Sequence, residues 1–218
     1  MEATTVRTGD GTTTSAREIS VKAETWVPAD PAPLGLAGFA MTTFVLSMFN
    51  ANFVGSSGEP VVLGLALAYG GIAQLLAGMW EFRNSNTFGA VAFTSYGAFW
   101  ISFWALVTFF EPQIPEAAAG SAVGLYLWAW AIFTGYMLIA SLRTTAAVAL
   151  VFLLLTITFA LLGAGNSGGN DTVIHWGGYV GLATALAAWY ASFAGVANST
   201  FGRTVFPVRS LRRESTTE

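Results

Sequence analysis

Few residues of this chain could carry out acid–base or nucleophilic chemistry. Its 218 residues include one histidine, His175, and no cysteine, which removes disulfides and thiol chemistry. Ser167 lies eight residues before that histidine. A serine nucleophile needs a base within hydrogen-bond reach and a water-protected site for the oxyanion, so hydrolytic chemistry would depend on this one pair.

Neutral polar side chains within apolar stretches form a second group, and their chemistry is hydrogen bonding to a small polar solute. The substrate-binding candidates are Thr42, Thr43, Asn50, Gln74, Thr94 and Asn166. No carboxylate is predicted near the centre of an apolar stretch, where a charge costs roughly 2.5–3.5 kcal/mol on insertion scales. This argues against a proton relay of buried carboxylates. The candidates for coupling to protons are Glu81 and His175.

Six apolar stretches supply the elements that must position these groups. Hydrophobic residues make up 54% of the chain and charged residues 10%, which is too apolar for a soluble domain. A helix of about 20 apolar residues spans the roughly 30 Å hydrocarbon core of a membrane. The predicted spans cover about 34–55, 61–82, 87–110, 122–142, 145–165 and 173–197. The sequence therefore predicts an all-α membrane protein built as one six-helix bundle.

The distribution of positive charge predicts the orientation of the bundle. All nine Lys and Arg lie in the terminal tails and in the second and fourth connectors. The charged residues of the other three connectors are all acidic. Cytoplasmic loops retain Lys and Arg during insertion, so both termini are expected inside.

The distribution of apolar and charged residues divides the chain into three segments. They are a disordered cytoplasmic tail over 1–29, a transmembrane transport domain over 30–207 and a basic cytoplasmic tail over 208–218. In the last segment, Arg209, Arg212 and Arg213 either set the topology alone or also bind anionic lipid.

Residue counts along the spans predict one shared layer inside the bundle. The odd-numbered spans start at the cytoplasmic face, and 1.5 Å per residue places Phe39, Tyr96 and Leu155 roughly 12–15 Å from it. Gln74 of the second span reaches a similar depth. The polar residues expected near the outer end are Asn50, Asn166, Asn170 and His175. This pattern predicts a wet outer mouth that leads to a narrow apolar waist.

Several sequence blocks resemble the acetate uptake transporter family, the succinate–acetate permeases. The block Asp30-Pro-Ala-Pro-Leu-Gly-Leu36 is followed by Gly38-Phe39. Further blocks follow in the order of the family: Tyr69-Gly-Gly-Ile-Ala-Gln74, Gly78 with Glu81, Asn86-Thr-Phe-Gly89, Phe93-Thr-Ser-Tyr-Gly97, Gly165-Asn166 and Phe201-Gly-Arg-Thr204. The resemblance covers about residues 30–207.

The resemblance implies a multi-pass protein of the plasma membrane that moves acetate and related small carboxylates. It also implies a ring of six identical subunits with one pathway in each. The family's waist residues fall on Phe39, Tyr96 and Leu155, and a functionally sensitive glutamate falls on Glu81. No enzymatic activity, cofactor, metal or nucleic-acid partner is expected.

Position 30 departs from the family pattern, which has asparagine where this chain has Asp30. Asp and Asn cap a helix about equally well. An additional negative charge at the inner mouth would, however, repel an anion.

The residues leave the transport mechanism open between an anion channel and a proton-coupled carrier. An ionised carboxylate crosses an apolar waist only if dipoles or hydroxyls, such as that of Tyr96, replace its water. The neutral acid is the alternative, although only about one molecule in a thousand is protonated at pH 7. Glu81 could serve coupling or be a solvated or ion-paired helix end beside Arg83. His175 could sense external pH or be a plain interfacial residue.

Two other functions remain as alternatives. A hexameric urea or amide channel shares the architecture but would lack the Pro-Ala-Pro block. Gly165-Asn166-Ser167-Gly168 resembles the Gly-x-Ser-Gly of rhomboid-like intramembrane proteases, which also have six helices and a Ser–His dyad. Ser167 is predicted after the fifth span at the outer edge, whereas that resemblance would require a recessed serine at the start of the fourth.

Overall fold

The six predicted spans are helices in the structure, a computed structural model that describes residue 26 and residues 28–211. The helices are α1 (Ala32–Asn50), α2 (Val61–Arg83), α3 (Thr87–Gln113), α4 (Glu116–Ser141), α5 (Ala146–Gly168) and α6 (Asp171–Phe201), each long and apolar enough to cross a membrane. A short 3-10 helix (Ser56–Gly58) lies between α1 and α2. The all-α six-helix fold is therefore confirmed.

The two predicted tails lie mostly outside the described residues. Of the segment 1–29, only residues 26, 28 and 29 are described, and the segment 208–218 is described as far as Leu211.

Successive helices run in opposite directions, which gives the bundle two ends of different charge. The basic end carries Arg83, Arg143, Arg203 and Arg209. The acidic end carries Glu59, Glu111, Glu116 and Asp171. Helices α1, α3 and α5 all begin at the basic end.

Helix boundaries differ from the predicted spans where turn residues decide them. Helix α1 ends at Asn50 rather than near residue 55, because Asn52 adopts a left-handed conformation with φ of 58°. Helix α4 begins at Glu116 rather than near residue 122, directly after Pro115, whose ring excludes it from a preceding helix. Helix α6 continues to Phe201 and ends at a left-handed glycine, Gly202.

Side-chain caps fix the starts of three helices, and a side-chain hydrogen bond supports the start of a fourth. Asp30 Oδ1 accepts a hydrogen bond from the backbone N–H of Ala32 at 2.9 Å, although the cap position of α1 is the next residue, Pro31. Asn86, Thr145 and Asn170 accept in the same way from the first turns of α3, α5 and α6.

A wide turn interrupts α2 where α1 crosses it. Residues 68–73 form a π-helical turn that contains the Tyr69-Gly70-Gly71 block. A Cβ at Gly70 would lie 2.6 Å from Thr42 Oγ1 and 2.9 Å from Trp100 Cδ1, so only glycine allows this approach. The π turn directly precedes Gln74 and sets its direction.

Helix pairing leaves an opening between two halves of the bundle. Helix α2 packs on α3, α4 packs on α5, and α6 packs on both α1 and α5. The backbones of α3 and α4 meet much less closely, and aromatic side chains fill the space between them. Helices α1, α2, α3 and α5 instead enclose a space large enough for a small solute.

After α6 the chain folds back as a strap over residues 205–211 at the basic end. Asn198 Oδ1 accepts from the backbone N–H groups of Val205 at 2.7 Å and Phe206 at 3.0 Å. The Arg209 carbonyl accepts from Ala146 N at 2.8 Å, which satisfies an amide in the first turn of α5. Leu211 N donates to the Thr144 carbonyl at 2.9 Å.

Candidate functional site

A cavity of about 350 Å³, here the basic cavity, opens toward the basic end. Its walls come from α1, α2, α3 and α5, the α4–α5 turn and Ser210 of the strap. Its innermost lining residues are Phe39, Gln74, Tyr96 and Leu155, each at most 4% exposed. The structure thus brings together the four residues that depth counting placed in one layer.

Two unpaired oxygens give the basic cavity its polar character. Gln74 and Glu81 both line it, and each side chain is 1% exposed. Glu81 Oε2 accepts a hydrogen bond from Asn86 Nδ2 at 3.0 Å. Glu81 Oε1 and Gln74 Oε1 are buried without a partner among the described residues. Glu81 is therefore a buried carboxylate facing a cavity and not a solvated helix end.

Helix N-termini surround the mouth of the same cavity. Ala32 opens α1, Asn86 caps α3 and Thr145 caps α5, and all three residues line the cavity. Each N-terminus contributes a partial positive charge of about half a unit. Their convergence favours an anion at the mouth.

Tyr96 at the inner end of the basic cavity is tied to α4. Its hydroxyl lies 2.9 Å from Thr134 Oγ1, and both side chains are buried. Thr134 Oγ1 also lies 2.7 Å from the Trp130 carbonyl, to which it donates. Because a threonine hydroxyl has one proton, Tyr96 is the donor to Thr134 in this arrangement.

A second cavity of about 440 Å³, here the acidic cavity, opens toward the acidic end. Asn50 and Asn166 line it together with Glu59, Glu111 and Tyr126. Burial raises the pKa of the Glu59 carboxyl above its ordinary value, and the nearby charge of Glu111 raises it further. Asn166 donates to the Leu162 carbonyl at 2.8 Å, which leaves its amide oxygen available to the cavity.

The other candidate residues lie elsewhere. Thr42 donates to the Gly38 carbonyl at 2.9 Å and packs against Gly70, and Thr94 packs against Gly78. Thr43, which is 5% exposed, has a buried hydroxyl oxygen without a partner among the described residues. None of these three threonines lines either cavity.

The single histidine is separated from both cavities and from the serine. His175 is partly exposed on α6 and does not line the acidic cavity. Ser167 is exposed in the last turn of α5. Among the described residues no hydrogen bond joins Ser167 to His175, so the geometry of a Ser–His dyad is not formed.

The two cavities are separated by the same interval on three helices. The innermost residues of the basic cavity, Phe39, Tyr96 and Leu155, each precede a lining residue of the acidic cavity by seven positions. Those residues are Leu46, Phe103 and Leu162. Seven residues of α-helix rise about 10 Å, so a layer about two turns thick divides the cavities.

Aromatic residues in this layer were missed by sequence reasoning. Phe99 and Phe159 are each 4% exposed, and their ring centroids lie 5.3 Å apart at an interplanar angle of 86°. Trp130 reaches Phe99 from α4 at 5.0 Å. Their spacing in the sequence could have indicated this layer, because Tyr96, Phe99 and Phe103 are three and four residues apart and therefore lie on one face of α3.

Comparison with known proteins identifies the family. A model of the GPR1/FUN34/yaaH family matches residues 14–212. The chain belongs to this family. It is 41% identical to the succinate-acetate/proton symporter SatP of Escherichia coli (strain K12) over 180 residues, which are 83% of this chain and 95% of that protein. It is 46% identical over 195 residues to acetate permease A of Emericella nidulans, which cover 83% of this chain and 65% of that protein.

A solved member of the GPR1/FUN34/yaaH family shares the fold. The structure of the bacterial acetate channel SatP matches with a TM-score of 0.78 and 40% sequence identity, over 84% of this chain and 99% of that chain. The resemblance to the acetate uptake transporter family is confirmed by these matches. These three proteins are named a symporter, a permease and a channel, and none of them is named an enzyme.

Proposed function

We propose that the chain moves acetate and related small carboxylates across a membrane through its own helical bundle. The observation that carries this proposal is the pair of cavities, which open at opposite ends and approach each other to within about two helical turns. Each volume, about 350 and 440 Å³, is sufficient for a solute of a few carbon atoms. The names of the relatives give the substrate class.

Electrostatics at the basic cavity support a carboxylate substrate. Three helix N-termini converge at its mouth and offset the cost of taking an anion from water. Polar oxygens of Gln74 and Glu81 lie deeper. Phe39, Tyr96 and Leu155 form the proposed waist, where the Tyr96 hydroxyl replaces part of the substrate's hydration.

Proton coupling through Glu81 is the favoured mechanism. A charged carboxylate at this position would repel an anion in the same cavity, so both fit more readily when one proton neutralises the pair. Glu81 Oε1, which has no partner, is positioned to hold that proton. The E. coli relative is named a proton symporter, whereas the solved relative is named a channel.

Assembly and orientation are part of the same proposal. The basic end faces the cytoplasm of a plasma membrane, because cytoplasmic loops retain Lys and Arg. The family resemblance implies a ring of six subunits, and we propose the apolar groove of about 600 Å³ between α5, α6 and residues 207–209 as one of its packing surfaces. Cross-linking and native mass spectrometry of the detergent-solubilised protein test the number of subunits.

Flux of radiolabelled acetate into proteoliposomes tests the function. Uptake above that of protein-free vesicles is expected, and an imposed pH gradient that speeds acetate accumulation beyond its rate in protein-free vesicles would identify proton coupling. Equal uptake in both kinds of vesicle would contradict the proposal. Labelled urea and acetamide in the same assay separate carboxylate transport from a urea or amide channel.

A further inference from the structure

The layer between the two cavities is built mainly from rings. Phe99 of α3 and Phe159 of α5 meet edge to face, and Trp130 of α4 packs on Phe99. Phe99 and Phe159 follow Tyr96 and Leu155 by one helical turn in the direction of the acidic end. A layer of contacting rings at this density excludes water and hydrated ions.

Helix α1 contributes one polar group at the same level. Thr43 follows Phe39 by four residues and precedes Leu46 by three, which keeps all three on one face of α1. Phe39 and Leu46 line the two cavities, so Thr43 lies between them. Its hydroxyl oxygen is buried without a hydrogen-bond partner among the described residues.

A buried hydroxyl without a partner is unfavourable in a folded protein and needs an explanation. Thr42, its neighbour in sequence, donates to the backbone of its own helix, as threonines in apolar helices usually do. Thr43 makes no such bond. Trp100 Nε1, one helical turn beyond Tyr96 on α3, and Thr94 Oγ1 are also buried without a partner among the described residues. The unpaired groups of Thr43 and Trp100 lie at the level of the ring layer, where a polar atom of a passing solute would supply the missing partner.

We propose that Thr43, Phe99 and Phe159 form the seal of the pathway, and that the Thr43 hydroxyl donates a hydrogen bond to the carboxylate that crosses it. The proposal rests on the proposed function. It extends the closed barrier one helical turn beyond the waist of Phe39, Tyr96 and Leu155. Those three residues form the inner wall of the basic cavity, where they select by size, and the seal lies directly beyond them.

The absence of cysteine from the natural sequence makes the position of the seal directly measurable. Single variants Leu36→Cys, Thr43→Cys and Leu46→Cys are placed in proteoliposomes of known orientation and treated from one side with a membrane-impermeant thiosulfonate. We expect Leu36→Cys to react only from the basic end and Leu46→Cys only from the acidic end. From either side, the thiosulfonate should modify Thr43→Cys at least roughly tenfold more slowly than it modifies Leu36→Cys from the basic end and Leu46→Cys from the acidic end.

A second labelling experiment opens the layer of aromatic rings by truncating Phe159. Phe159→Ala, or Phe159→Leu if the first change impairs folding, should make Thr43→Cys reactive from the acidic end. Reaction of Thr43→Cys from that end with Phe159 intact would place the barrier at Phe39, Tyr96 and Leu155 and overturn the proposal. An unreactive Leu36→Cys or Leu46→Cys, or no gain from the Phe159 change, would also overturn it.

A matched pair tests the hydroxyl. Thr43→Val keeps the shape and removes the hydroxyl, whereas Thr43→Ser keeps the hydroxyl. We expect acetate flux to fall roughly fivefold or more in Thr43→Val and to stay within about twofold of wild type in Thr43→Ser, with equal thermal stability. Equal flux in the two variants would remove the hydroxyl from the proposal. Labelling does not depend on the transported solute, so a failed seal and a failed transport function give different results.

Discussion

The Tyr96 hydroxyl donates a hydrogen bond to Thr134 across the α3–α4 boundary, at 2.9 Å. Its proton is therefore in use while the pathway is empty. For Tyr96 to donate to a carboxylate, the Thr134 hydroxyl must turn from the Trp130 carbonyl and donate to Tyr96 instead. This exchange requires only rotation about two C–O bonds. It leaves every hydroxyl paired when the substrate is present.

Tyr96→Phe should lower acetate flux roughly two- to tenfold, which corresponds to a net hydrogen bond of about 0.5–1.5 kcal/mol. The measurement is initial uptake into proteoliposomes at equal protein density. Tyr136→Phe is the control, because Tyr136 is exposed on α4. Thr134→Val, which leaves Tyr96 free to donate, should lose stability but retain flux. Unchanged flux in Tyr96→Phe would exclude its hydroxyl from transport.

Leu155→Ala should raise the ratio of lactate to acetate flux. Leu155 lies at the inner end of the basic cavity, and the change removes three carbons from one wall. Truncation of a buried leucine costs roughly 2–5 kcal/mol in soluble cores, and a position beside a cavity belongs at the lower end of that range. Leu153→Ala on the exposed face of α5 is the control. A ratio no higher than wild type would mean that Leu155 does not limit substrate size.

Hydrophobic run length and charge placement were sufficient to predict the six helices, because both are properties of the chain alone. Depth counting also brought Phe39, Tyr96, Leu155 and Gln74 to one level. Rotation about the helix axis was not predictable, since nearly every face of these helices is apolar. The adjacent residues Thr42 and Thr43 illustrate this limit, because only three-dimensional packing shows which one pairs with the backbone.

The Phe99–Phe159 contact and the strap escaped sequence reasoning for a related reason. Both join residues far apart in the chain, and aromatic residues are common throughout the sequence. The burial of Glu81 was equally hidden. Its position near Arg83 favoured a solvated end, whereas the packing of α3 encloses it and Asn86 supplies a hydrogen bond.

Lowering the pH of the solution at the acidic end of the bundle should increase acetate entry, because Glu59 becomes protonated. Because burial and Glu111 raise its pKa, Glu59 takes up a proton at a higher pH than an exposed glutamate. As the pH falls through that raised pKa, the mouth loses a negative charge that repels an anion. Two like unit charges 4 Å apart in water repel by about 1 kcal/mol, so the acetate flux should rise at most about fivefold.

The variant Glu59→Gln should have this gain already at pH 7 and a flatter dependence on pH. Uptake is measured from pH 7 to pH 5 in wild type and variant, so that the neutral-acid fraction is the same for both at each pH. Glu116→Gln, exposed at the same end, should follow wild type. Parallel curves for wild type and Glu59→Gln would show that this carboxylate does not control entry.

Glu81→Gln should abolish acetate accumulation driven by a pH gradient while retaining flux down an acetate gradient. A glutamine oxygen still accepts the hydrogen bond from Asn86, but the side chain no longer exchanges a proton. The two measurements are made on the same proteoliposomes. Glu116→Gln again serves as the control. If Glu81→Gln still accumulates acetate in response to pH, the proton moves by another route.

Asn198→Ala should release the strap from the basic end. The asparagine amide makes three hydrogen bonds to it, two accepted from Val205 and Phe206 and one donated to the Phe206 carbonyl at 2.8 Å. At about 1 kcal/mol each, their loss favours local opening by roughly 1–3 kcal/mol. Trypsin cleavage after Arg209, followed by mass spectrometry, should accelerate by roughly five- to 150-fold.

The variant Asn198→Asp tests whether the hydrogen bonds themselves hold the strap. Aspartate keeps the acceptor for both backbone amides and loses only the donor to Phe206, so its cleavage rate should lie between those of wild type and Asn198→Ala. Since Ser210 of the strap lines the basic cavity, Asn198→Ala should also change the acetate concentration at half-maximal flux. Equal cleavage rates in all three proteins would mean that other contacts hold the strap. The bonds from Arg209 and Leu211 to the start of α5 would then be the ones to remove.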